Sequence, residues 1–334
     1  MKFKSLGILA VSIFAVAVFA LPVWANGTGK LIYVTNSGNN TVSVIDPAKN
    51  EVINTIRVGV WPAGIEVDAA SGKAYVVNSN TGDSSVSVVD LKSNSVVANM
   101  KVGVGPMAIA LDTAAGIGYV ADAENMVDGK NLSHTLSVID LKTAKVLKQI
   151  DVGVGPFDLK LAGKNLFVSN SGEWTVAFVS TADHKVVKTL KVIDTPLGVA
   201  VDKNKAYVAV HGKGSVQVFD TEKMEELSTI KVGNTAWYIA VDHPKNRAYV
   251  SKREEGAVTV IDTATDKVIA DIAVGKGPIG VAVDSASNRL YVVNHEDVSV
   301  SVVDTTSNKV VATIKLAPAT DSTYSGSPWG ITIN

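Results

Sequence analysis

The sequence predicts an all-β fold, a seven-bladed β-propeller, and three observations carry that prediction. The sixteen residues from Leu31 to Asp46, LIYVTNSGNNTVSVID, recur as KAYVAVHGKGSVQVFD from Lys205 and RLYVVNHEDVSVSVVD from Arg289. Their tyrosine, or a phenylalanine in its place, falls at Tyr33, Tyr75, Tyr119, Phe167, Tyr207, Tyr249 and Tyr291, with spacings of 42, 44, 48, 40, 42 and 42 residues. Each period holds four short runs rich in Val, Ile and Tyr, bounded by Gly, Asn, Asp and Ser, and no run has helical periodicity. Four strands in about 42 residues is the arithmetic of a propeller blade.

The second repeat shows the order of its parts. A strand after a proline (residues 64–68) is followed by the tyrosine strand (74–78), a strand ending in aspartate (85–90) and a valine-rich strand (95–102). Blades are sandwiched between neighbours, so both sheet faces are buried, and Val42-Ser43-Val44-Ile45 accordingly alternates large with small rather than apolar with charged. The repeat is also out of phase with the chain. Residues 30–36 form a tyrosine strand with no proline strand before it, and residues 328–334 form a proline strand with no tyrosine strand after it. The C-terminal strand 328–334 is therefore expected to complete the first blade and close the ring, leaving no free inner edge.

Before the repeats, Lys2 and Lys4 precede an apolar run from Leu6 to Val23, and Val23-Trp24-Ala25 precedes the polar stretch from Asn26. This reads as a signal peptide over 1–25, cut after Ala25, with a single propeller domain over 26–334. The competing reading is an uncleaved anchor. No later run is as long and apolar, so the expectation is a periplasmic or secreted monomer. The chain has no cysteine, which excludes disulfides, thiolate ligands, covalent c-type haem and a lipidated cysteine. Without residues 1–25 the charge balance is 29 basic against 32 acidic residues, which argues against a nucleic-acid partner.

Tyr33-Val34-Thr35-Asn36 resembles the signature of the YVTN-repeat family of β-propellers, and Tyr75-Val76-Val77-Asn78 and Tyr291-Val292-Val293-Asn294 are similar to it. The likeness covers residues 30–334. It implies a seven-bladed fold outside the cytoplasm and transfers no catalytic residue, because the signature contains none.

In a propeller, the loop after the tyrosine strand and the loop entering the proline strand share one end of the ring. Trp61, Trp174, Trp237 and Trp329 all map to that end. The residues after the proline or its counterpart are Ala63, Met107, Phe157, Leu197, Trp237, Ile279 and Trp329, which should ring the mouth of the central channel. The ring reads either as a hydrophobic plug or as a ligand site, where Trp61, Phe157, Trp174, Trp237, Tyr238 and Trp329 would stack on a glycan or anchor a peptide or envelope protein. Matching loops of the fifth to seventh repeats carry His211, Arg253 and His295. They read as a solvated rim or as a ligand-head site facing the aromatics.

The same loop is lengthened in the second repeat and again in the third, within residues 123–134. Asp122, Glu124 and Asp128 there lack the spacing of a standard calcium loop, so no metal site is expected. Nor is a cofactor. Gly326-Ser327-Pro328-Trp329-Gly330 has the wrong spacing for a serine elbow, and no His-Glu-x-x-His helix exists. The residual catalytic reading is a lyase or hydrolase using His211, Arg253 and His295. A binding module is the preferred reading, with its partner an unidentified glycan, peptide or envelope protein.

Overall fold

The computed structural model describes residues 29–123, 133–319 and 328–334. Within them the chain forms seven four-stranded antiparallel sheets, the seven blades of a β-propeller. Each blade contributes one inner strand to the wall of the central channel: Pro62–Asp68, Pro106–Asp112, Pro156–Ala162, Pro196–Asp202, Ile239–Asp242, Pro278–Asp284 and Pro328–Ile333. Every inner strand contacts those of the two adjacent blades, so the ring is continuous. Among the described residues, no helix is long and apolar enough to cross a membrane.

Closure follows the expected scheme. Pro328–Ile333 is the inner strand of blade 1, which runs on through Ile32–Asn36, Thr41–Asp46 and Glu51–Arg57. Ile32 pairs with Ile333 and Val34 with Ile331, and Asn334 donates its amide to the Leu31 carbonyl at 3.1 Å. Leu31 and Asn334 therefore meet at the end of the ring opposite the loops that follow the tyrosine strands.

The recurring motif is explained by bonds that hold a blade together and join it to the next. Asn36 Nδ2 donates to Thr41 Oγ1 at 3.1 Å and Ser43 Oγ at 2.9 Å, tying the second strand to hydroxyls of the third. Asn78 does the same with Ser85 and Ser87, and Asn294 with Ser299 and Ser301. Thr35 Oγ1 donates to the Ala63 carbonyl of blade 2 at 2.7 Å. Tyr75 reaches from blade 2 to the Leu141 carbonyl of blade 3. The motif asparagine amide, threonine and, in blade 2, tyrosine thus satisfy buried polar groups that would otherwise cost about 1–3 kcal/mol each.

Apolar packing is distributed over the seams between blades rather than gathered at one centre. Tyr33, Val42 and Ile56 of blade 1 pack on Ile65, Val76 and Leu91 of blade 2. Across the closing seam, Ile32, Val34 and Ile45 of blade 1 pack on Ile279, Tyr291 and Val300 of blade 7. The last seam is built like the others, so closure buries an apolar interface as well as pairing a strand.

A candidate ligand cavity at the tryptophan-bearing end

The rim of one end is built from short local turns. His211–Lys213 and Arg253–Glu255 each form a single 3-10 turn after the tyrosine strand, closed by a left-handed glycine, Gly214 (φ 53°) and Gly256 (φ 60°). In blade 4 the closing position is taken by Trp174 with φ 58°. A second recurring left-handed position precedes the inner-strand proline. It is glycine at Gly105 (φ 59°), Gly155 (φ 65°) and Gly277 (φ 64°), but in blade 2 it is Trp61, with φ 60°. A residue bearing a Cβ loses roughly 1–2 kcal/mol in this conformation. Strain of this kind on exposed rings concentrates at functional positions.

Inside the rim lies a cavity of about 450 Å³. Trp61, Phe157, Trp237 and Trp329 supply its aromatic wall, with Met107 and Leu197 beside them. Its polar groups are the hydroxyls of Ser37, Ser79, Thr81, Ser171 and Thr195 and the imidazole of His211. Trp61 remains 42% exposed, a large apolar surface left open to solvent.

The wall on the side of blades 5, 6, 7 and 1 is a chain of ring contacts. His211 meets Trp237 edge-on at 5.1 Å, Trp237 meets Trp329 at 6.3 Å, and Trp329 meets His295 at 5.6 Å. The Arg253 guanidinium lies 5.1 Å from the centre of the Trp237 ring, and its Nη2 is 3.6 Å from Glu296. The imidazoles are the two ends of this chain, with both indoles between them. Burial pushes the His295 imidazole below its ordinary pKa, and the nearby Arg253 charge acts in the same direction. Its Nδ1 is 3.1 Å from the Pro328 carbonyl, a bond that the protonated tautomer at Nδ1 donates.

Under the cavity the channel widens to about 480 Å³, with Met107 and Trp329 shared between the two spaces. Its wall is mostly glycine, alanine, valine and isoleucine, against which a few polar side chains stand out. Lys160 of blade 4 reaches past blade 3 to Glu66 of blade 2, Nζ to Oε1 2.9 Å. Asp158 is buried and accepts from the amides of Leu159 and Val199, both at 2.8 Å. Desolvation raises its pKa, opposed by the Lys160 charge. The Lys160 pKa is raised by Glu66 and Asp158 against a desolvation effect that would lower it. Tyr238 lies deeper than the mouth, lining this channel and packing against Phe157 at 5.9 Å.

The residues expected around the mouth divide accordingly. Trp61, Phe157, Trp237, Trp329 and His211 line the cavity. Arg253 and His295 stand behind its wall, each against a tryptophan. Trp174 is 49% exposed and does not line the cavity. Ile279, expected to complete the mouth ring, is fully buried in the seam between blades 7 and 1.

Asp122 is fully buried, accepting from Thr135 and Ser137 at 2.9 Å each, while Glu124 and Asp128 lie outside the described residues. So do Gly326 and Ser327 of the discarded serine elbow, and residues 1–25 of the expected signal peptide. Among the described residues no group of three or more His, Asp and Glu is placed to hold a metal ion. Sequence reasoning missed the Glu66–Lys160 pair. Its signal was there: the aligned inner-strand position is alanine at 110, 200, 240 and 282.

No protein-family model matches the chain. A 44-residue stretch, 13% of the chain, is 52% identical to part of the PE-PGRS family protein PE_PGRS18 of Mycobacterium tuberculosis, and the match spans only 10% of that protein. Similar solved structures include hydrazine synthase of Kuenenia stuttgartiensis, 19% identical over 85% of this chain and 92% of that one, with a TM-score of 0.69. A functionally unknown protein from Desulfotomaculum acetoxidans is 14% identical over 91% and 98% of the two chains, with a TM-score of 0.75. Dihydro-heme d1 dehydrogenase NirN is 15% identical over 86% of this chain and 64% of that one, with a TM-score of 0.64. At these identities the likeness establishes the propeller fold, on which unrelated activities are built.

Proposed function

We propose that this propeller is an exported binding module of the YVTN-repeat kind, acting in the periplasm or outside the cell. Its tryptophan-bearing end receives an apolar group presented by a peptide or envelope-protein partner. The observation that carries this reading is the 450 Å³ cavity walled by Trp61, Phe157, Trp237 and Trp329. Concave, mostly apolar spaces with a few convergent polar groups are where ligands bind. The lining favours an apolar side chain over a glycan. Among the described residues its polar groups are hydroxyls and one imidazole, without the carboxylates and amides that grip several sugar hydroxyls at once.

The catalytic alternative gains no support from the site. His211 and His295 face different indoles, and among the described residues no carboxylate or hydroxyl is hydrogen-bonded to either ring. The test is a binding screen of peptides with aromatic or branched side chains, read by tryptophan fluorescence against wild type and the Trp237→Ala/Trp329→Ala double variant. Binding by wild type that survives unchanged in a folded double variant removes the cavity from consideration.

A further inference from the structure

The arc of rim residues is asymmetric in chemistry. The position after the motif asparagine or its counterpart is Ser37, Ser79, Ala123 and Ser171 in blades 1 to 4, then His211, Arg253 and His295 in blades 5 to 7. One half of the mouth therefore offers small or hydroxyl side chains, and the other half bases. Among the described residues, four nitrogens on this side of the mouth are buried without a hydrogen-bond partner: Trp237 Nε1, Arg253 Nε, His211 Nδ1 and, next to them, Trp329 Nε1. Trp237 joins the set, being touched by His211, Arg253 and Trp329. Trp237 and Arg253 are donors only, and His211 donates from Nδ1 in one tautomer and when protonated.

Buried donors without acceptors are rare in a folded chain, and four on adjoining side chains at the wall of an open apolar cavity form a coherent set. The nearest negative charge, Glu296, engages Arg253 only at Nη2 and 3.6 Å, leaving Nε unmet. We infer that the cavity takes a ligand whose apolar body carries a carboxylate, with the carboxylate directed to Trp237, Arg253 and His211. This rests on the cavity reading given under Proposed function and names the chemical class that it selects. Trp237 and His211 line the cavity and Arg253 packs on Trp237, so the inferred bonds form once the His211 ring turns to expose these donors. A carboxylate accepts several charge-assisted bonds at once, and neutral amides accept fewer and weaker ones.

The same chemistry is presented by a free aromatic acid and by the C-terminus of a peptide ending in an apolar residue. Calorimetric titration of the full chain separates these sources. The probes are 3-phenylpropionate, its primary amide, and a tripeptide ending in phenylalanine with either a free or an amidated C-terminus. Each acid is expected to bind at least about tenfold more tightly than its amide. A further gain of the free tripeptide over phenylpropionate assigns the ligand to a peptide terminus, and no gain assigns it to a small acid.

Trp237→Phe keeps the ring and removes the donor. It should erase most of the preference for acid over amide, read as the ratio of the two affinities, and Arg253→Gln should lower that ratio in the same direction. Equal binding of acid and amide to wild type overturns the carboxylate inference but leaves the apolar cavity reading standing. Failure of all four probes to bind overturns both.

Discussion

The guanidinium of Arg253 lies 5.1 Å from the centre of the Trp237 ring, because Trp237 precedes the inner strand of blade 6 and Arg253 follows its antiparallel neighbour at the same end. A cation over an indole is worth about 0.5–1 kcal/mol at a partly exposed site, and the loose contact with Glu296 adds little. Arg253→Ala is expected to lower unfolding free energy by about that amount, with Arg253→Lys in between. Urea denaturation measures it. An unchanged midpoint in Arg253→Ala means that the stacking holds nothing in place.

Trp61 gives the opposite expectation for a binding residue. Its φ of 60° is what glycine adopts at Gly105, Gly155 and Gly277, and its amide bond to Asn40 Oδ1 is retained by any residue. Trp61→Gly should fold with at least wild-type stability. Trp61→Ala keeps the strain and loses the ring, and should be about 1 kcal/mol less stable than the glycine variant. Both variants should lose affinity for apolar probes. If glycine proves the least stable of the three, the ring is a structural element rather than a recognition surface.

Asp122 stands where four other blades have asparagine, and burial raises its pKa from 3.8 to about 6, against the bonds from Ser137 and Thr135. Its folded pKa exceeds its unfolded value, so between these two values the folded state holds the extra proton. Stability is greatest below the lower value and is lost as pH rises through about 6. Asp122→Asn should flatten this slope and, above pH 7, gain roughly 1–3 kcal/mol. Thermal melts from pH 4 to 8 test the sign: wild type that is more stable at pH 8 than at pH 4.5 relative to Asp122→Asn contradicts it.

Gly330 probes the fit of the closing strand against blade 2. A Cβ there would lie 2.4 Å from the carbonyl oxygen of Ala63, backbone that has no room to retreat. Gly330→Ala should lower stability by about 1–3 kcal/mol through overpacking. Deletion of 328–334 removes the inner strand of blade 1 entirely and should abolish the cooperative melt seen by circular dichroism. A truncated chain that melts like the full one would show that blade 1 holds without it.

The architecture was legible because one period governs most of the chain, and because incomplete first and last repeats are complementary. The mouth followed from the same register, since the residue after each proline occupies an equivalent place. It failed where packing overrode position. Ile279 turns into the seam with blade 1, and Trp174 faces outward from its turn. Side-chain pairing across the ring was the least legible. Glu66 and Lys160 are separated by 94 residues and by an intervening blade, so no local pattern links them. The ring contacts of His211, Trp237, Trp329 and His295 likewise depend on rotamers, which the repeat does not specify.

The pairing of Leu31 with Asn334 also orients the molecule. Both ends of the described ring emerge from the face away from the tryptophans. A surface, bead or fusion partner joined directly beside Leu31 or at Asn334 would sit behind the propeller like a handle and leave the cavity looking outward. An attached protein is thus already aimed at whatever diffuses past, and display on a solid support needs no engineered spacer to free the mouth.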